Sequence, residues 1–124
     1  MAASLFHGTK MTVIVDITLA TICFANACYP ALIGKATPVG EYQLALRITQ
    51  SPGYGGDVIQ FKETTDDVFA IHRVWLGKPK ERRLQRLASP DPAQRQITNG
   101  CINVMPDVYE KLKTCCSNDS LVVR

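Results

Sequence analysis

Residues 97–106 read ITNGCINVMP, which places a single cysteine directly after a glycine and just ahead of an apolar segment. Gly100 has no side chain, so the backbone at this point can approach a substrate closely. Beyond Val104 the apolar residues recur on one helical face, at Met105, Val108, Tyr109 and Leu112. We therefore predict a helix directly after Cys101, whose positive end would lower the pKa of the thiol.

The chain upstream of this segment is predicted to be mainly β-strand. Short runs rich in Val, Ile, Thr and Phe are separated by turn residues, at 11–16, 20–25, 58–61 and 68–72. Residues 42–48 alternate between apolar and polar side chains, which predicts one half-buried strand. Residues 121–123 predict a closing strand. Residues 76–96 contain three prolines and many charges without a strand pattern, and they predict a short helix.

The composition is that of one ordinary globular domain. Of the 124 residues, 46% are hydrophobic and 20% are charged, and the net charge of +3 is too small to indicate a nucleic-acid partner. The most apolar run, residues 11–27, is interrupted by Asp16 and is too short to span a membrane; it is also a poor signal peptide. We divide the chain into an N-terminal tail, residues 1–10, and one domain, residues 11–124.

The five cysteines leave at least one thiol without an intramolecular partner. In an oxidising compartment Cys23, Cys28, Cys115 and Cys116 could form disulfides. Adjacent cysteines rarely bond to each other, so we expect each of the last two to find a distant partner if the protein is oxidised. A metal site is not indicated, because the cysteine spacings are not those of zinc ligands and the chain has only two histidines.

Cys101 and His72 are candidates for a nucleophile and its base. A catalytic cysteine must become a thiolate, so it needs a base and donors for the developing oxyanion. His72 ends the predicted strand at 68–72, where sites are commonly built, whereas His7 belongs to the tail. The alternative is a buried, inert cysteine and a histidine that plays only a structural part.

Three blocks of sequence resemble the catalytic domain of the L,D-transpeptidases, the YkuD-type family. The blocks are TPVGEYQL, FAIHRVW and ITNGCINV, and their order and spacing match those of the family. Asn99 departs from the pattern, because many members have histidine there. The matching residues are Thr37, Pro38, Gly40, His72, Thr98, Gly100, Cys101, Ile102 and Asn103.

The resemblance implies a fold and a reaction. The fold is a mainly β, YkuD-like sandwich with a short helix after the catalytic cysteine. The gap from His72 to Thr98 is longer than in the compact members, so the resemblance implies that residues 76–96 are a basic, partly helical insert that could act as a lid or a substrate wall. In the reaction, Cys101 forms a thioester with a peptidoglycan tetrapeptide stem, and His72, oriented by a backbone carbonyl, transfers the protons. Backbone N–H groups of Cys101, Gly100 and Asn99 would hold the oxyanion, and Thr98 would support the turn. Neither a metal nor a cofactor is implied, and the location would be the bacterial periplasm or envelope.

Three further residues are candidates for substrate binding. Arg73 could bind a stem carboxylate, Trp75 could line the peptide groove, and Asn103 could hydrogen-bond the active-site backbone. The structural alternatives are a solvated arginine, a core tryptophan and a turn asparagine. Alternative functions also stay open at this point, namely a non-catalytic wall-binding module, a delivered wall-targeting toxin of the same fold, or a different cysteine hydrolase.

Overall fold

The computed structural model describes residues 11–124, so the predicted N-terminal tail lies outside the described residues. The strands are β1 Thr12–Asp16, β2 Thr21–Phe24, β3 Ala27–Pro30, β4 Gly40–Gln43, β5 Ala45–Ile48, β6 Asp57–Glu63, β7 Val68–Arg73, β8 Ile102–Val104 and β9 Ser120–Val123. The α-helices are α1 Arg83–Ala88 and α2 Pro106–Cys116, and two short 3₁₀ helices are Pro79–Glu81 and Pro92–Arg95.

The strands form two sheets. One has five strands in the order β3-β2-β1-β9-β4, and the other has four strands in the order β5-β6-β7-β8. Most pairs are antiparallel, but β1–β9 and β7–β8 are parallel. One cluster of buried side chains joins both sheets and α2, with Val13, Ile59, Ile102 and Tyr109 among its members. The mainly β fold with a short helix, predicted from the sequence, is confirmed.

The single strand predicted at 42–48 is wrong. The chain leaves the five-stranded sheet after β4 and enters the four-stranded sheet as β5, with the buried Leu44 between them. The Leu44 N–H donates to the Asp119 carbonyl, and all four residues of β5 beyond this crossing are exposed. Leu46 and Ile48, which alternation would have buried, are 43% and 75% exposed because β5 is an edge strand.

The helix predicted beyond Val104 is confirmed, but it does not follow Cys101 directly. Strand β8 follows the cysteine, and α2 starts only at Pro106. The intervening strand pairs with β7 and separates the thiol from the helix N-terminus. The field of a helix end falls off within its first turn, so α2 cannot account for a low thiol pKa.

The cysteine pairing differs from the expected one. Cys23 and Cys28 are direct partners across the β2–β3 pair and form a disulfide. This pairing leaves Cys115 and Cys116 without a distant partner, and the structure joins these neighbours to each other. Cys101 is the free cysteine of residues 11–124.

The insert at 76–96 is helical in part and is packed onto the protein. Leu87 of α1 contacts Leu32 and Val74 in a second, smaller apolar cluster. The buried Arg95 donates to the carbonyl oxygens of Leu19 and Ala20, which fastens the end of the insert to the β1–β2 turn. Within residues 11–124, no helix combines the length and the apolar character needed to cross a membrane.

Candidate active site

The pairing of β7 with β8 brings the candidate residues together. Ile71 lies opposite Ile102, and His72 lies opposite Asn103. Successive side chains on a strand point to opposite faces. Because the two isoleucines face the main core, His72 and Asn103 face the other side of the sheet, where the insert covers them. A cavity of about 370 Å³ lies there, and Cys101 lines it together with His72 and Asn103.

Cys101 is half-buried and in the thiol form. Its Sγ donates to the carbonyl oxygen of Val68 at 3.7 Å. Burial raises the pKa of the thiol above its ordinary value, although a hydrogen bond from the Ala70 backbone and the positive charge of Arg83 oppose this. The lowered pKa predicted from the sequence is therefore wrong for this state, because burial disfavours the thiolate and the helix begins too far away.

His72 is buried and neutral. Its side chain is only 4% exposed, and burial lowers its pKa to about 4. The hydrogen bond to the Arg73 carbonyl opposes the shift, whereas the charge of Arg83 adds to it. The ring Nδ1 lies 2.7 Å from that carbonyl oxygen, so Nδ1 carries the proton and Nε2 keeps its lone pair. The ring of Tyr54 packs against the imidazole at 4.5 Å between centroids.

Asn103 connects His72 to the insert. Its Oδ1 accepts hydrogen bonds from the Trp75 N–H at 3.0 Å and from Arg83 Nη1 at 2.8 Å. These two donors fix the orientation of the amide, so Nδ2 faces His72 Nε2, at 3.5 Å. An amide N–H can only donate, which agrees with the unprotonated Nε2 that the Arg73 carbonyl already requires.

The turn before Cys101 is held by Thr98. The Thr98 hydroxyl donates to the Cys101 carbonyl at 2.6 Å and accepts from the Gly100 N–H at 3.1 Å. The Gly100 N–H therefore already has a partner, and the N–H groups of Cys101 and Asn99 are the better candidates for an oxyanion. Gly100 has φ +129°, and a Cβ there would lie 2.5 Å from Cε1 of Phe69, so only glycine fits.

The Thr-Pro-x-Gly block lies against the same turn. The Thr37 hydroxyl accepts from the Gly34 N–H at 3.0 Å. A Cβ on Gly34 would lie 1.8 Å from the Thr98 carbonyl oxygen, so the two segments are in direct contact. In this way a threonine 64 positions upstream of Cys101 in the chain supports the turn that presents the thiol.

The structure does not bring Arg73 to the cavity. Arg73 follows His72 on β7, so its side chain points to the opposite face of the sheet. It pairs with Asp57 at 2.9 Å and Glu110 at 2.6 Å, and its guanidinium lies 4.1 Å from the ring centroid of Tyr109. These contacts give Arg73 a structural position, contrary to the substrate-binding role expected from the sequence.

Trp75, Asn99 and Thr98 line the cavity, together with residues that no sequence motif indicated. Those additional residues are Tyr54, Asp67, Lys78, Glu81 and Arg83. Lys78 and Arg83 belong to the basic run of the insert, which sequence alone indicates as a solvated face. Within residues 11–124, His, Cys, Asp and Glu side chains form no group of three or more that could hold a metal ion.

Comparison with known proteins gives structural matches only. No family model and no curated protein matches the sequence. One solved structure that matches is L,D-transpeptidase 3 from Mycobacterium tuberculosis in complex with a faropenem-derived adduct. It has a TM-score of 0.66 and 14% identity, over 92% of this chain and 60% of that one. The fold is that of the L,D-transpeptidases.

Two further L,D-transpeptidase structures support this assignment of the fold. The enzyme from Mycobacterium smegmatis has a TM-score of 0.57 and 19% identity, over 93% of this chain and 58% of that one. The enzyme from Stackebrandtia nassauensis has a TM-score of 0.60 and 16% identity, over 94% of this chain and 56% of that one. The chain thus spans about 60% of the length of the structures that it matches.

Proposed function

We propose that this protein is a cysteine-dependent acyl transferase that acts on the tetrapeptide stems of peptidoglycan in the bacterial periplasm or envelope. The observation that supports this most is a free thiol and a neutral imidazole lining one cavity, on an L,D-transpeptidase fold. Cys101 is the nucleophile and His72 is the base. A purely structural role for the pair would not require an open cavity at the thiol or an imidazole whose Nε2 keeps its lone pair.

The first half of the reaction forms a thioester. Cys101 Sγ adds to the carbonyl carbon of the third stem residue, and its proton passes to His72 Nε2. The tetrahedral intermediate collapses, the C–N bond to the terminal D-Ala breaks, and His72 returns the proton to the departing amine. The N–H groups of Cys101 and Asn99 stabilise the oxyanion; losing one such donor typically costs about 3 kcal/mol in the transition state.

The second half of the reaction consumes the thioester. An acceptor adds to the thioester carbonyl, and His72 takes the acceptor's proton. The C–S bond then breaks, and His72 returns the proton to the sulfur, which regenerates the Cys101 thiol. An amine of another stem gives a 3→3 cross-link, a free D-amino acid gives exchange, and water gives an L,D-carboxypeptidase product. All three outcomes use the same two residues, and the acceptor distinguishes them.

Substrate binding must bring the nucleophile and the base into contact. The thiol donates to Val68, and His72 Nε2 faces the Asn103 amide at a long 3.5 Å. Such a weak contact is readily exchanged, and hydrogen bonds at a catalytic site are often long before substrate binds. The neutral imidazole is the form that can accept the thiol proton at neutral pH.

Covalent trapping tests the first half of the reaction. We expect faropenem to add one adduct to the purified protein, detected by intact-mass spectrometry and mapped to Cys101. Cys101→Ser is the matched control and should show no stable adduct. His72→Gln should slow the reaction by about 10²–10⁴-fold while the circular dichroism spectrum is unchanged.

Product analysis tests the second half. Incubation with purified sacculi, followed by digestion and chromatography of the muropeptides, separates cross-linked dimers, exchanged tetrapeptides and tripeptides. Unchanged tetrapeptides with wild-type protein that does react with faropenem would contradict peptidoglycan as the substrate. A Cys101→Ser protein that is fully active would contradict the mechanism.

A further inference from the structure

Arg83 is one of three residues of the insert that line the cavity, together with Lys78 and Glu81. Its side chain is 11% exposed, and Nε pairs with Glu81 at 2.9 Å. Nη1 donates to Asn103 at 2.8 Å, and the guanidinium lies 5.3 Å from the ring centroid of Trp75. Three different groups therefore hold the guanidinium in place before any ligand binds.

Arg83 still has donors to offer. A guanidinium has five N–H donors, and the contacts to Glu81 and Asn103 use two of them. Within residues 11–124, no fully buried side-chain nitrogen or oxygen lacks a hydrogen-bond partner. Nη2, which bonds no protein group, is therefore not fully buried, and Arg83 lines both the cavity at Cys101 and a shallower pocket along the insert. The remaining N–H donors of the guanidinium form a preorganised site for a planar anion such as a carboxylate.

Arg83 is also close to the reacting atoms. Its positive charge acts on the pKa of both His72 and Cys101. In a tetrapeptide stem, the carboxylate of the departing residue lies within one residue of the scissile carbonyl, since consecutive Cα atoms are ~3.8 Å apart. A carboxylate so near the sulfur must enter the same cavity. Lys78 also lines it but is exposed, whereas Arg83 is held in position.

We propose that Arg83 binds the terminal α-carboxylate of the departing residue and thereby restricts the enzyme to stems that end one residue after the scissile bond. This inference rests on the proposed function and replaces Arg73, which points to the other face, as the carboxylate-binding arginine. A stem with its terminal carboxylate amidated would leave the guanidinium without its anion.

Substrate discrimination tests this inference. The probes are the tetrapeptide stem, its C-terminal amide, and a stem amidated instead on the side-chain carboxylate of the third residue. We expect wild-type kcat/KM to fall about 10–100-fold on terminal amidation, as expected for a hydrogen bond to a charged group. In Arg83→Gln, terminal amidation should lower kcat/KM only about twofold. In Arg83→Lys, part of the wild-type preference for the free acid should remain.

The ratio of kcat/KM for the acid to kcat/KM for the terminal amide distinguishes an Arg83 that binds the carboxylate from an Arg83 that only positions its neighbours. If Arg83 only supported Asn103 and His72, Arg83→Gln would slow the acid and the amide equally, and the preference would survive. Arg82→Gln is the matched control, because Arg82 is exposed on the same insert and does not line the cavity. An undiminished preference in Arg83→Gln, or none in the wild type, overturns the inference. If kcat/KM falls only when the side-chain carboxylate of the third residue is amidated, Arg83 binds that carboxylate instead, and the inference is overturned as well.

A binding measurement remains informative without turnover. N-acetyl-D-alanine, at millimolar concentration, should protect Cys101 from iodoacetamide in the wild type, whereas N-acetyl-D-alaninamide should not. Arg83→Gln should lose the protection. If Arg83→Gln does not fold, Arg83→Lys replaces it and should show weaker protection than the wild type. Protection without stem turnover would contradict the proposed function alone, and turnover without this protection would contradict the carboxylate site alone.

Discussion

The Cys101 thiol donates its hydrogen bond to the Val68 carbonyl, 3.7 Å away, and within residues 11–124 no hydrogen bond joins it to the His72 ring. The thiol and the imidazole line one cavity, yet each is hydrogen-bonded to a different neighbour. The resting state is therefore a neutral thiol beside a neutral imidazole, and not a thiolate–imidazolium pair. The neutral state of both groups has consequences for the reactivity of Cys101 and for the stability of the protein.

The first consequence concerns the pH dependence of alkylation. The raised pKa of Cys101 means that its reaction with iodoacetamide should rise only at alkaline pH, with a midpoint above that of an unstructured cysteine peptide. His72→Gln should leave the midpoint nearly unchanged, because the imidazole, with a pKa of about 4, is uncharged where the thiol titrates. A reactive plateau below pH 7 that disappears in His72→Gln would contradict this account.

Stability should depend on the protonation of His72. The unfolded histidine takes up a proton near pH 6.5, whereas the buried ring does so only near pH 4. Protons therefore favour the unfolded state in this window, and the free energy of unfolding should fall by up to about 3 kcal/mol between pH 6.5 and 4. Urea denaturation of the wild type and of His72→Gln, at pH 7 and at pH 4.5, measures this change in the free energy of unfolding. Equal pH slopes in the two proteins would refute the prediction.

Arg73 should matter for folding and not for substrate binding. Arg73→Gln removes the ion pairs to Asp57 and Glu110, which should lower the free energy of unfolding by about 2–4 kcal/mol while leaving KM unchanged. Arg47→Gln is a matched control, because the Arg47–Glu63 pair is about half exposed and should contribute less than about 1 kcal/mol. Denaturant titration and steady-state kinetics give both values, and a raised KM with unchanged stability would restore Arg73 as a substrate contact.

Gly100 should be irreplaceable for a steric reason. Gly100→Ala combines a positive φ with a Cβ 2.5 Å from Phe69, so it should destabilise the protein and displace Cys101. Gly56→Ala has a similar φ of +100° but open space around the Cβ, so it should cost only about 1–2 kcal/mol and keep activity. Thermal melts and faropenem acylation rates separate strain from the clash, and equal effects of the two substitutions would rule the clash out.

The charge cluster around Asp57 could not have been found from sequence. Although burial opposes ionisation, hydrogen bonds from Lys113, Tyr109 and Arg73 hold the pKa of Asp57 below its ordinary value. The two cations come from elements 16 and 56 positions away along the chain. No local pattern connects such residues, because the pairing of β6 with β7 brings Arg73 to Asp57 and the packing of α2 against the sheet brings Lys113 there.

Local patterns determined the mainly β fold, the apolar face of α2 and the motif that contains Cys101. Alternation and helical spacing depend on the geometry of a single element, so they can be read from consecutive residues. The same alternation separates His72 from Arg73, although both were assigned to the site, since neighbours on one strand face opposite sides of the sheet. The break at Leu44 escaped this approach because the alternating pattern continues across it.

Tertiary structure alone decided what surrounds the thiol. The register of β7 against β8 places His72 beside Asn103, and the insert then brings Arg83 to the same amide. The tertiary structure also decided the cysteine pairing, because Cys23 and Cys28 come together only when β2 and β3 pair. Strand order, register and the covering of a sheet face depend on contacts between distant segments, and these are set by the free energy of the whole fold and not by any single stretch of sequence.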